Sequence, residues 1–290
     1  MDGVIIVDKP KDYTSRDVVN IISKIYHTKK VGHTGTLDPL ATGVLVICVN
    51  KATKIVELLT SYDKEYIATF KFGILTDTLD STGSVLKDEE CILEKENLID
   101  AMKKIEGTYM QEVPIYSAVR INGKKLYEYA REGLEVDLPK HEVTISNLEL
   151  LDFTIVDNHT IVNVKCHVSK GTYIRSLGND IASILGTNAI MTDLRRTKQG
   201  TFSIDNSIEL KDITDNTKLI SINECLNMYK KVVVDIKLEE DILNGTILDN
   251  IYNDDNILFI DSDNNPIALY TKYDKEINKI KPWKMFKNRV

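Results

Sequence analysis

Apolar positions recur along most of the chain with a period of two residues or of about 3.6, and these periods predict the elements. "GVIIVDKP" (residues 3–10) is a short apolar run stopped by proline, as expected of a buried strand. Over residues 14–26, Val18, Val19, Ile21, Ile22 and Ile25 fall on one helical face, and Thr14 and Asp17 have the spacing of a capping box. "GVLVICV" (residues 43–49) is continuously apolar, which predicts a strand covered on both faces. In "EYIATFKFG" the residues Tyr66, Ala68, Phe70 and Phe72 share one face of a strand. Leu98, Ile99, Met102 and Ile105 predict a helix closed by Gly107, and "GKKLYEYAREG" predicts a short basic helix ending at Gly133.

Two further strands are expected over residues 144–153 and 159–170. In the second, Val162, Val164, Cys166 and Val168 alternate with Asn163, Lys165, His167 and Ser169. Continuing that alternation sets Gly171, Tyr173 and Arg175 on the polar side. Leu177, Ile181, Ile184 and Leu185 then predict a helix stopped by Gly186. Strands and helices mix without a regular βαβ repeat, so the expected class is α+β, a mixed, largely antiparallel sheet flanked by helices. Near Tyr229 the composition turns acidic, with turn signals at "DNIYNDDN" and "DSDNNP". Residues 1–228 therefore read as the main domain and residues 229–290 as a small, mostly-β second domain.

Composition narrows the class. With 290 residues, 42% of them hydrophobic, the chain can bury a sizeable core. No apolar run approaches a membrane span, no basic-then-apolar leader opens the sequence, and Met1-Asp2 lacks the glycine that myristoylation needs. Cys48, Cys91, Cys166 and Cys225 lie far apart with no C-x-x-C, which suggests neither a disulfide framework nor a thiolate metal site. A reduced, cytoplasmic protein is expected. The net charge of −7 argues at first against a polyanionic partner. Its distribution softens the objection, because residues 235–266 hold nine acidic residues and one Lys, whereas residues 165–200 hold six Lys or Arg and two Asp. Residues 120–131 add four basic residues against one Glu. A local positive face is what nucleic acid needs.

The charge that calls for explanation is Asp38, set in "GHTGTLDPLATGVL" ahead of a central strand. It is either an Asx-type turn before Pro39 or a reactive carboxylate on a rigidly held loop. A carboxylate can act as nucleophile or general base only while ionised, and in a partly dry site that requires a cation beside it. Arg175, next to Tyr173 on the expected polar face, is the best-placed candidate.

"GHTGTLDPLATGVL" resembles the signature loop of the bacterial tRNA pseudouridine-55 synthases, the TruB family. "GVIIVDKP", "DKEYIATFKFGILTDTLDSTG", "YSAVRINGKKLYEYAREG", "SKGTYIRSLGNDI" and "LRRTKQGTFSI" resemble the family's other motifs in the same order, over residues 4–204. The tail, with "ILNG" and "PWKMFKN", resembles a PUA-type RNA-binding domain more faintly. The resemblance implies a pseudouridine synthase fold and isomerisation of uridine to pseudouridine at position 55 of the tRNA T loop, with Asp38 as nucleophile on a flipped-out uridine. It implies no metal or cofactor, the T-arm stem-loop as partner, no guide RNA and no membrane; a monomer is expected. Tyr66 matches the position that stacks on the flipped uracil, Tyr173 a pocket tyrosine, Leu194 a substrate contact, and His33 the residue that intrudes into the T loop. Arg175 would hold Asp38 ionised, and Lys9 and Pro10 would brace its loop. Lys124, Lys125, Arg131, Lys170, Arg195 and Arg196 would contact phosphates.

The chain departs from the family in three places. Val113-Pro114 stands where relatives often carry two prolines, "SLGND" (residues 176–180) is less basic than in many relatives, and the tail is unusually acidic. Two other classes compete: an RNA-binding or RNA-folding protein without catalysis, and a two-carboxylate hydrolase, which needs a second acidic residue facing Asp38.

Overall fold

The computed structural model describes residues 1–288. Its largest sheet runs in the strand order Ile208–Glu209, Gly3–Lys9, Thr42–Val49, Ala189–Gln199, Lys64–Phe72, His159–Val168, Lys140–Val156, Gly107–Glu112. Two short strands, Val31–His33 and Phe202–Ser203, pair beside this row. Pairing along the row is antiparallel except at two places, Gly3–Lys9 with Ile208–Glu209 and Thr42–Val49 with Ala189–Gln199. The α+β, largely antiparallel class is as the patterning predicts.

The continuous apolar run at residues 43–49 is buried on both sides. Leu45, Ile47 and Val49 point to one core with Val18, Val19 and Ile22 of the helix Ser15–Ile25. Leu98, Ala101 and Met102 of the helix Lys95–Ile105 cover the same face, as do Leu177 and Ile181 of Ile174–Ile184. Val44, Val46 and Cys48 point the other way, to Ala52, Ile55, Leu58, Leu59 and Phe202. The expected capping box starts the first helix: the Asp17 N–H donates to Thr14 Oγ1 at 3.0 Å, and the Thr14 N–H donates to Asp17 Oδ2 at 2.9 Å.

The tail forms a second, five-stranded sheet with one helix, Ile236–Leu243. Leu258, Ile260, Leu269 and Phe286 press this sheet against the main one, while Ile257, Phe259 and Tyr270 face the tail's own core. Each buried side chain of this size contributes about 1.5–3 kcal/mol. The Lys284–Glu57 ion pair (2.9 Å) and a hydrogen bond from Lys54 Nζ to Met285 O (2.5 Å) add polar contacts across the seam. The tail is therefore docked against the main sheet.

One expectation fails. The strand His159–Val168 ends before Gly171, and the next helix begins at Ile174, so Tyr173 and Arg175 do not continue a strand's polar face. Gly171 takes a positive φ of 86°, which breaks the alternation, and Arg175 sits in the first helical turn. Ile184, expected in the apolar stripe, is exposed, and Ile174 is buried at the other end of the helix.

The parallel contact between the two halves of the main sheet passes through Gly43, paired with Arg196. Gly43 has φ +98°, and a Cβ there would lie 2.2 Å from Arg196 O. Gly43→Ala is expected to cost at least about 2 kcal/mol and lower the melting temperature by several degrees, read by thermal unfolding.

Candidate active site

The loop of residues 34–41 joins two strands and is pinned from three sides. Ser15 Oγ, at the start of the first helix, accepts from the Leu37 N–H at 2.8 Å and donates to Leu37 O at 3.1 Å. From the N-terminal strand, the fully buried Lys9 ammonium donates to Pro10 O (2.8 Å), Tyr13 O (2.6 Å) and Pro39 O (3.4 Å). Burial pulls the Lys9 pKa down to about 8, against the opposing attraction of Asp38. From the Ala189–Gln199 strand, Arg196 donates to Val44 O (2.6 Å) and Gly35 O (3.1 Å), and Gln199 Nε2 donates to Thr34 Oγ1 (2.7 Å). Leu37, Leu40 and Ala41 anchor the loop in the core. Asp38 is thus presented by a loop with little freedom left.

Asp38 opens onto a cleft of about 920 Å³ that is also lined by Lys64, Tyr66, Tyr116, Tyr127, Lys170, Tyr173, Arg175 and Leu194. Its side chain is 41% exposed, and Arg175 Nε lies 3.3 Å from Asp38 Oδ2. The Arg175 side chain is only 7% exposed and uses its remaining N–H groups on protein acceptors: NH1 on Thr78 O and NH2 on Tyr116 O, both at 2.9 Å. A second carboxylate, Asp80 Oδ2, sits 3.7 Å from NH1. The other oxygen of Asp80, Oδ1, is held in place, accepting from Thr78 Oγ1 (2.8 Å), the Thr82 N–H (2.9 Å) and Thr82 Oγ1 (2.6 Å). One guanidinium therefore holds an open carboxylate on one side and a closed one on the other.

Tyr66 and Tyr173 bring their rings to this cleft. Burial raises the Tyr66 hydroxyl pKa, while the Arg196 guanidinium facing it pulls the other way; the group stays protonated at neutral pH. Burial also raises the Tyr173 hydroxyl. Leu194 lines the cleft from the strand next to Tyr66. Lys170 is exposed at the edge, close enough to Lys64 to add to its electrostatic environment.

Other expected residues are differently committed. Arg196 lines the cleft beside Tyr66, but it is 1% exposed and engaged by loop carbonyls. Arg195 points to the opposite side of the strand, where it forms a two-pronged pair with Asp8 (2.7 and 3.1 Å) beside Lys9 and Pro10. The phosphate role expected for Arg196 does not fit its burial, because strand alternation sends it inward, while the Arg195 side chain stays 38% exposed and shares its guanidinium with Asp8. His33 is on an edge strand outside the lining of the cleft; its Nδ1 accepts from the Gly35 N–H (3.3 Å). Burial, then Arg16 and Arg196, lower its pKa and keep it neutral at pH 7. Lys124, Lys125 and Arg131 sit on the short basic arm. Lys124 pairs with Glu132 and lies over the Tyr129 ring, while Lys125 and Arg131 both lie over Tyr127 at 5.2 Å.

Sequence reasoning missed Asp80 and Lys64. Asp80 lies in "TDTLDSTG", which reads as a turn, and only the fold brings it to Arg175. Lys64 had a legible signal, since it shares parity with Tyr66 and hence its strand face. Burial, reinforced by Arg196, pulls Lys64 down to about 8. Among the described residues, no cluster of three or more His, Cys, Asp or Glu side chains is arranged to hold a metal ion, and no helix is long and apolar enough to cross a membrane.

Comparison with known proteins places this geometry. The family model described as "TruB family pseudouridylate synthase (N terminal domain)" matches residues 23–174, and "tRNA pseudouridylate synthase B C-terminal domain" matches residues 175–233. The fold is that of a pseudouridylate synthase, an isomerase that modifies RNA. The chain is 46% identical over 250 residues to tRNA pseudouridine synthase B of Clostridium tetani, covering 84% of this chain and 85% of that protein. It is 39% identical to the Bacillus cytotoxicus protein of the same name, over 99% of this chain and 98% of the relative. A solved H/ACA RNP bound to a substrate RNA containing 2'-deoxyuridine superposes with a TM-score of 0.72 at 25% identity, over 99% of this chain and 86% of that one. The chain belongs to the TruB family of tRNA pseudouridine synthases.

Asp80→Asn removes the closed anion while leaving the cleft surface intact. Its expected effect is a loss of turnover of about tenfold or more with tRNA affinity within about threefold, compared by single-turnover kinetics and filter binding. Lys64 gives a pH test. The folded chain releases this proton near pH 8 and the unfolded chain near 10.5, so the group's contribution to stability rises across that interval. Wild type should therefore gain stability relative to Lys64→Met between pH 8 and 10.5 in urea unfolding; a pH-independent difference would contradict the shift.

Proposed function

We propose that this enzyme converts uridine 55 in the T loop of tRNA to pseudouridine, acting as a monomer without guide RNA, with Asp38 as the nucleophile. The observation that carries this reading is the Asp38 carboxylate, 3.3 Å from a buried guanidinium, in a cleft that also presents Tyr66 and Tyr173. In this reading residues 1–228 catalyse and residues 229–290 form an accessory domain.

The reaction breaks the bond from ribose C1′ to N1 and remakes it from C1′ to C5. The C5 proton is lost and N1 gains one, so the nucleoside keeps its formula. An Asp38 oxygen attacks either C1′ or the pyrimidine ring, and Arg175 keeps the carboxylate anionic and aimed. The guanidinium offers Nε to Asp38 while each of its two terminal nitrogens is tied to a backbone carbonyl, so it does not have to reorganise as charge moves. The protonated Tyr66 hydroxyl stands beside the reacting base as a group able to exchange a proton. Extruding the uridine from a folded loop costs a few kcal/mol. Stacking on the cleft aromatics returns roughly 1–3 kcal/mol per base, and Lys170 and Lys64 attract the backbone.

Asp80 would be the second carboxylate of a glycosidase. Its three donors and 7% side-chain exposure keep it from reaching a glycosidic oxygen, so it supports Arg175 instead. Asp38→Asn is expected to bind a T-arm hairpin with affinity within about threefold of wild type and to form no pseudouridine. Nucleoside mapping of the treated hairpin reads the outcome. Full conversion by the variant overturns the nucleophile assignment, and release of free uracil by wild type overturns isomerisation.

A further inference from the structure

Arg175 can face Asp38 only if the helix Ile174–Ile184 enters at the right place, and that helix does not cap itself. Tyr173 occupies its N-cap position, with no side-chain capping hydrogen bond. The backbone there is held from a distant strand, Gly107–Glu112, by Gln111. Gln111 is 1% exposed, and its Oε1 accepts the Tyr173 N–H at 2.8 Å. Its Nε2 donates to Asp180 Oδ2 (3.1 Å) and to Tyr109 Oη (2.9 Å), while Tyr109 Oη donates to the same Asp180 oxygen (2.7 Å). Asp180 lies on the second turn of the helix that Gln111 steadies. The adjacent Ser176 Oγ donates to Glu112 O at 3.0 Å, a second tie between the same two elements.

We propose that Gln111 is a positioning residue for the isomerisation: its amide, locked by Asp180 and Tyr109, sets the entry of the Arg175 helix and so the aim of Arg175 at Asp38. The inference rests on the catalytic reading of that ion pair. The amide has one workable orientation. Reversed, it would turn an NH₂ against the Tyr173 N–H and a carbonyl against a carboxylate, leaving buried groups unpaired. Gln111 touches neither the cleft nor Asp38, so its effect passes through Tyr173 and Arg175.

The structure also supplies a test that a merely structural role would not pass. Gln111→Met fills the space without polar atoms, and Gln111→Glu keeps the acceptor for Tyr173 while facing Asp180 with a second carboxyl. Asp180 already has a raised pKa through burial, opposed by the Tyr109 and Gln111 hydrogen bonds; Glu112 adds to the rise and Lys140 opposes it. At low pH the two carboxyls of the Glu variant share a proton, and the lost N–H donor is replaced by an O–H. At higher pH the two repel.

Single-turnover pseudouridine formation should fall about tenfold or more in Gln111→Met, with tRNA affinity within about threefold of wild type. Gln111→Glu should come nearest to the wild-type rate at the acid end of the pH profile and fall progressively below it as the pH rises. Tyr109→Phe deletes a single oxygen at a half-buried position and loosens the same lock, so it should slow the reaction several-fold without changing affinity. Variants that lose melting temperature yet retain wild-type rates and pH profile, when rates are normalised to folded protein, overturn the proposal. So does Tyr109→Phe at the wild-type rate, should both Gln111 variants fail to fold. Conversion by wild type but not by Asp38→Asn secures the catalytic reading separately, so a failure of that reading is distinguishable from a failure at Gln111.

Discussion

Arg175 is the group on which the site depends. Its guanidinium reaches four acceptors supplied by three separate parts of the chain: Asp38, the turn that carries both Thr78 O and Asp80, and Tyr116 O. A buried cation in that position is tolerable only because two carboxylates and two carbonyls surround it. The reverse dependence is equally strong. Without the guanidinium, Asp80 would be a buried anion with no cation beside it, and Asp38 would face an incoming polyanion unaided. The planar fork is what allows one side chain to meet all four groups, which an ammonium on a flexible stem could not do.

The surrounding construction serves the same end by a different principle. The Asp38 loop is fixed largely by bonds from distant side chains to its backbone, from Ser15, Lys9, Arg196 and Gln199. These bonds set the position of the loop without placing a competing carboxylate beside Asp38. Two of the holders, Lys9 and Arg196, are cations driven into the interior, and each finds carbonyl oxygens there. Their charge also contributes to the potential of the cleft, where Lys64 and Lys170 stand nearer the surface. The negative charge of the chain is concentrated in residues 235–266, in a domain seated on the opposite side of the core strands from the helix that carries Arg175.

Much was decided by local rules. The two-residue alternation of Tyr66, Ala68, Phe70 and Phe72, the doubly covered run at residues 43–49 and the Thr14–Asp17 box are short-range properties, and each appears in the fold as the residues predict. The loop around Asp38 was likewise legible, since its small residues and proline precede a buried strand. The strand beyond Val168 shows where such rules end. A period of two can be continued on paper indefinitely, but Gly171 turns the chain with a positive φ and a helix takes over.

The sequence by itself therefore determined most of the element types, the α+β class, the family and the loop that presents Asp38. The tertiary structure alone decided which charges are surface and which are structural: Arg196 goes inward to carbonyls, Arg195 to Asp8, and Asp80 to the back of Arg175. The physical reason is range. Periodicity and capping act over a few residues, so they are written in consecutive letters. The burial of a charge is settled by a partner far away in the chain, 152 residues for Arg196 and Val44 and 187 for Arg195 and Asp8, which the sequence carries but does not point to.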